Sequence, residues 1–222
     1  HSILSILLFL LTSTTMSEAQ SILDYYKLMS DYDNDIKIHK LTEKEGQWYV
    51  QNNNSKIVKI DLDEKNNFLE LKDKEEGGIF TLQLSLLKQT KGEVLIAMVK
   101  NHMDMFLHGE IHIIKYRNGR FNDITKEVLP EINYQDFTEK TMSIAASAYN
   151  ADFNKHLEFG YQLPRDGKTA YAEMKTEVIK NKCAQKDSSV SDYCNSLNEI
   201  AYSTIELIWN VKEGKFVLGE KK

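Results

Sequence analysis

The 222-residue chain holds only two cysteines and two prolines, carries an excess of acid over base, and has no long apolar run after residue 11. Each shortage excludes something. Two cysteines, Cys183 and Cys194, are far from a disulfide-dense small scaffold, and with no second pair and no nearby histidine they match no zinc-binding spacing. A formal net charge of −5 argues against nucleic acid, which calls for a basic face. No segment beyond the N-terminus approaches the ~20 apolar residues of a transmembrane helix, so no membrane span is expected in the mature chain. The low proline count, beside abundant Asn, Lys and Ile, carries no functional information.

Catalytic signatures are missing too. There is no Gly-x-Ser-x-Gly elbow, no His-Glu-x-x-His, no phosphate-cradling glycine loop and no dinucleotide fingerprint. The pair Gly77-Gly78 precedes a strand pattern rather than a helix, so it lacks the helix N-terminus that would hold a phosphate. No catalytic residue and no cofactor are expected, and the balance is against an enzyme.

What is present begins with the apolar run Ile3-Leu4-Ser5-Ile6-Leu7-Leu8-Phe9-Leu10-Leu11, of signal-peptide length but too short to span a bilayer. Ser17-Glu18-Ala19 places small side chains where signal peptidase requires them, so residues 1–19 read as a leader and residues 20–222 as one exported domain. The expected setting is periplasmic or secreted. An even cysteine count in such a compartment points to a disulfide between Cys183 and Cys194, worth about 3 kcal/mol on the chain-entropy account.

The mature chain reads as α+β. A short helix over residues 21–29 puts Ile22, Tyr25, Tyr26 and Met29 on one face, with Ser21 as its cap. Four hairpins follow, turning at Glu45-Gly46, at Lys65-Asn66-Asn67, at Asn118-Gly119 and at Lys212-Glu213-Gly214, of which Asn-Gly is the strongest signal because both positions take positive φ. Phe80, Leu82, Leu84 and Leu86 alternate with polar residues, whereas residues 94–99 are apolar throughout, as a strand covered on both faces requires. Residues 169–178 alternate again and read as one more strand. A longer helix is expected from an Asn133 cap, with Phe137, Thr141, Ile144, Ala145, Ala148 and Tyr149 as its inner stripe. The expected fold is a mainly antiparallel meandering sheet with a short N-terminal helix and one longer helix. The hairpins over residues 111–121 and 205–216 match in pattern, which raises two similar lobes, 20–125 and 126–222. A closed barrel or β-sandwich is the competing architecture.

The stretches Ile114-Lys115-Tyr116-Arg117-Asn118-Gly119-Arg120-Phe121-Asn122-Asp123-Ile124-Thr125 and Leu163-Pro164-Arg165-Asp166-Gly167-Lys168-Thr169, with the closing hairpin over residues 209–216, resemble a broad set of uncharacterised exported β-rich proteins of Gram-negative bacteria. The likeness covers roughly the C-terminal half. It implies a bacterial exported setting and no activity.

Two segments offer ligand chemistry. Asp31, Asp33 and Asp35 open like a calcium loop, but the positions that need Gly and Glu are Ile36 and Thr42, so a solvated turn is the expectation. Between residues 102 and 112 stand His102, Met103, Met105, His108, Glu110 and His112. On an extended strand His108, Glu110 and His112 share one face, and with His102 they form a candidate zinc or copper set to which a methionine could add a soft ligand. The same alternation also describes the polar outer face of a hairpin whose Ile111 and Ile113 point inward. Three readings stand: a non-enzymatic exported binding protein for an unknown protein or small-molecule ligand, a periplasmic metal-handling protein using residues 102–112, and a hydrolase whose acid–base pair comes from distant residues.

Overall fold

The computed structural model of the chain describes residues 21–75, 77–104, 107–139, 159–186, 194 and 200–222. The expected leader over residues 1–19, Met105 and the helical stripe expected over residues 141–149 lie outside them. Helix α1 (Ile22–Met29) begins with a reciprocal cap: the Asp24 amide donates to Ser21 Oγ, and the Ser21 amide donates back to the Asp24 carboxylate, both at 3.2 Å. Its apolar face buries Ile22, Leu23, Tyr25, Tyr26 and Met29. Helix α2 (Asn34–Ile38) is started by Asp33, whose Oδ1 accepts from the amides of Asp35 and Ile36.

Eight strands then meander in chain order, each antiparallel to the next: β1 (Lys40–Lys44), β2 (Gln47–Gln51), β3 (Ile57–Asp63), β4 (Phe68–Glu75), β5 (Gly78–Lys88), β6 (Val94–Met103), β7 (Leu107–Arg117) and β8 (Arg120–Asp123). The turn residues behave as their chemistry dictates. Glu45 and Gly46 take φ of 54° and 72°, Asn118 and Gly119 take 53° and 76°, the doubly left-handed turn that suits the twist of two-residue hairpins. After α3 (Thr125–Val128) a second antiparallel sheet is built from β9 (Gly160–Gln162), β10 (Thr169–Glu173), β11 (Thr204–Asn210) and β12 (Lys215–Lys221). The fold is therefore α+β with a mostly antiparallel β content.

Two departures from the expected elements have local causes. The strand over residues 169–178 stops at Glu173, and helix α4 (Glu177–Ala184) follows. Glu177 sits in its first turn and Lys182 in its last, complementing the helix dipole, and alternation over a few residues does not separate a strand end from a helix start. Asn133 does cap, accepting from the Gln135 amide at 2.9 Å, but the capped element is a four-residue 3₁₀ turn (Tyr134–Phe137). Thr138 is already extended and bridges to Ile200.

The large sheet is covered on both faces. One face carries Val50, Ile60, Leu69, Leu71, Leu82, Leu84, Ile96, Met98 and Ile114 against α1 and α2. The other carries Leu95, Ala97, Val99, Ile111 and Ile113 against Ala170, Ala172, Ile205, Leu207, Trp209 and Phe216 of the second sheet. Strand β6 is thus buried on both sides, as its unbroken apolar run requires.

Side-chain amides stitch the sheets together. Asn101 accepts from the Tyr161 amide at 3.0 Å and donates to its carbonyl at 2.6 Å, imitating a strand partner. Gln83, buried, accepts from the Leu163 amide at 2.8 Å. The same junction needs bare backbone, because a side chain on Gly109 would run into the Cα of Gly160.

Candidate functional site

The histidine segment forms the β6–β7 edge of the helix-covered face. His102 stands directly across from His108, Lys100 from Glu110 and Met98 from His112, so the alternation read in the sequence holds. The partners differ. His112 Nδ1 lies 2.8 Å from Asp123 Oδ2 and its Nε2 lies 3.4 Å from Glu110, while His108 Nε2 lies 3.8 Å from Asp104. Partial burial works against the charge of Asp123, but hydrogen bonds from Thr125 and His112 hold its carboxyl below the usual value. Among the described residues no three His, Cys, Asp or Glu side chains gather where one metal ion could be held.

The acidic stretch is not a solvated turn. Asp33 and Asp35 clamp the Lys100 ammonium at 2.7 and 2.8 Å, tying α2 to β6. Burial would lower the Lys100 pKa, yet the two carboxylates overcome it and hold the amine charged.

A second polar cluster, absent from any sequence motif, centres on a fully buried carboxylate. Asp73, with no exposed surface, receives a hydrogen bond from Asn52 Nδ2 at 2.7 Å and an ion pair from Lys56. His39 Nε2 stands 3.5 Å from it, and the His39 Nδ1–H donates to the Asp35 carbonyl at 2.7 Å. The imidazole stacks on Phe80. Burial raises the Asp73 pKa, but the hydrogen bonds from Lys56 and Asn52 outweigh it and hold the carboxyl below 3.8. His39 is 2% exposed, so no substrate reaches this pair. It anchors the β2–β3 hairpin onto β4.

The concave surface that does face solvent opens at the other end of the same hairpin. The ladder between β2 and β3 ends at Tyr49 and Lys59, while β3 continues to Asp63 in register with β4. The two strands part there, leaving a cleft of about 890 Å³ walled by Trp48, Leu62, Lys65 and Arg165. The Asn52 amide donates to the Lys56 carbonyl. Because strand main-chain groups alternate sides, that bond turns the N–H and C=O of Val58, Ile60 and Leu62 towards β2, and at Leu62 no strand is left to meet them. Trp48 is half-buried with the Lys27 ammonium 5.0 Å from its ring, which fixes the indole at the cleft wall. Arg165, from the loop between β9 and β10, pairs with Asp61 and lies over Phe68.

Sequence reasoning placed hairpin turns at Glu45-Gly46 and Lys65-Asn66-Asn67 but could not show where the strands separate. The disulfide reading does meet its geometry: Cys183 and Cys194 are paired, Cα to Cα 5.6 Å. No helix among the described residues is long and apolar enough to cross a membrane.

These features define a mostly antiparallel α+β protein with an open, strand-edged cleft. No family model matches the chain, and no curated protein does. Among solved structures it is similar to a domain of an uncharacterized protein from Porphyromonas gingivalis W83, a Gram-negative bacterium, with a TM-score of 0.57 at 12% identity over 90% of this chain and 99% of that one. At that identity the likeness is one of fold.

Proposed function

We propose that the protein is an exported, non-enzymatic binding protein that holds an extended peptide segment in the cleft where β2 parts from β3. The observation that carries this reading is the open main-chain edge of β3 at Leu62, set in a concave site beside Trp48. A free strand edge demands main-chain partners, and a peptide adding as a strand supplies them while its side chains meet the cleft walls. Two of the carboxylates in the cleft are engaged structurally rather than poised for proton transfer. Asp61 pairs with Arg165, and hydrogen bonds from Asn66 hold the Asp63 carboxyl below its usual value, away from the near-neutral pKa that a general acid or base needs. The paired cysteines and the leader-like N-terminus support a periplasmic or secreted setting.

Panning a phage-displayed random peptide library on the full chain tests the reading. Selected peptides should bind saturably and change the fluorescence of Trp48 in a Trp209→Phe background, where it is the sole tryptophan. N-methylation of a bound peptide should abolish binding at alternate amides and leave it intact at the intervening ones, because only every second group faces β3. Peptides indifferent to N-methylation at every position would sink the proposal.

A further inference from the structure

The large sheet splits a second time, at a place with different chemistry. The β6–β7 ladder ends at Ile96 and Ile114, yet β6 keeps its partner β5 down to Val94, and β7 keeps its partner β8 out to Arg117. Between the parted strands lies a pocket of about 530 Å³. Its lining carries Lys88, Lys91, Lys115 and Arg117 against a single carboxylate, Glu93.

Four cations facing one anion in a chain of net charge −5 is a local reversal of sign. Three of the cations, Lys91, Lys115 and Arg117, are close enough to act on one carboxylate. The Lys115 ammonium bonds Glu93 at 2.8 Å across the split, and this bond, with the charges of Lys115, Arg117 and Lys91, holds the Glu93 carboxyl below its usual 4.5. The wall beneath is stiff: Tyr116 meets Tyr25 edge-on at 6.0 Å and Phe121 at 4.7 Å. A rigid concave site with uncompensated positive charge focuses field lines and concentrates anions.

We infer that the β6–β7 split is a binding site for a multiply charged phosphate group, separate from the peptide cleft. A lone carboxylate would leave most of the excess charge uncompensated, whereas a polyphosphate or a phosphomonoester brings several oxygens and more than one charge. The Arg117 guanidinium supplies the planar fork that such oxygens accept, and the three lysines act as point charges.

Calorimetric titration of the full chain with inorganic pyrophosphate tests the site. Saturable binding that weakens as salt rises is expected. Replacing Lys115→Ala together with Arg117→Ala should cost about tenfold or more in affinity. The surface change Lys91→Glu should act in the same direction without touching the aromatic wall, and a Lys59→Ala, Lys65→Ala control in the other cleft should leave the affinity unchanged. Absence of saturable binding, or equal loss in the control, overturns the assignment. Sedimentation with phosphatidate vesicles separates the sources: retention that pyrophosphate competes away makes a lipid headgroup the natural ligand, and no retention beside tight pyrophosphate binding makes it a free phosphate compound.

Discussion

The two openings of the large sheet share one geometric cause and differ in everything else. In each, a strand leaves one neighbour while the other still holds it: β3 leaves β2 and stays with β4, β7 leaves β6 and stays with β8. Strand twist in a long meander makes such partings natural at ladder ends. At the first, Lys59, Lys65 and Arg165 balance Asp61, Asp63 and Glu64, and an indole lines the wall. At the second, four cations face one carboxylate over a tyrosine. Backbone divergence creates the concavity, and the residues placed along it decide whether it meets main chain or charge.

The comparison breaks most severely at Asp73. This carboxylate clamps Asn52 and Lys56, at the end of the β2–β3 hairpin opposite the cleft, and among the described residues no other buried carboxylate supports the second opening. Asp73→Ala leaves Lys56 and His39 beside an empty buried space and should cost about 3 kcal/mol in denaturant unfolding. Hydrogen exchange should rise in β2 and β3 and stay low in β6 and β7, and peptide binding should fall while pyrophosphate binding survives in the folded fraction. Equal loosening of both regions would show that the two openings are not independent.

The same residue sets an acid limit. Its folded pKa lies below 3.8, the ordinary value that it regains on unfolding. Above that ordinary value both states are ionised and the stabilisation is complete. As pH falls through it, the unfolded chain takes up a proton first, so stability declines until the folded carboxyl also protonates. Asp73→Asn should be less stable at neutral pH and lose less stability on acidification, measured by unfolding midpoints across an acid series.

A smaller change sharpens the contrast. Arg165 and Asp61 are 46% and 54% exposed, so solvent screens their pairing, and Arg165→Ala should cost no more than about 1 kcal/mol. Its larger effect should be local: with Asp61 released, the first cleft becomes acidic, and selected peptides should shift towards basic sequences while pyrophosphate affinity stays put.

The parts of this molecule that were legible in the sequence are those settled within a few residues. Ser21 caps α1 as read, Glu45-Gly46 and Asn118-Gly119 turn with positive φ, and residues 95–99 of the unbroken apolar run are buried. What escaped is set by contacts between distant residues. Asp73 meets Asn52 across 21 positions, and Lys100 reaches Asp35 across 65, which is why the acidic stretch read as solvated. The crossing of Gly109 and Gly160 depends on how two sheets stack, and neither parting of strands has a residue signature, since it is the end of a register rather than a motif. The histidine alternation was readable; the carboxylate that engages His112, Asp123, comes from the next strand.

That histidine face provides the least perturbing test. His112 is flanked by Asp123 and Glu110 near the surface, and removing it leaves Asp123 still bonded by the hydroxyl and the amide of Thr125. His112→Ala should therefore change stability by no more than about 0.5 kcal/mol. His108→Ala should do the same, since its side chain is exposed to solvent, which screens an ion pair there. Metal analysis of wild type and both variants, purified without chelator, is expected to give the same content, because no three ligating side chains converge among the described residues. Stoichiometric zinc or copper in the wild type that both variants lose would mean that the β6–β7 edge recruits further ligands, and would move the phosphate-binding opening at the other end of the same two strands from an independent site to a neighbour of a metal centre.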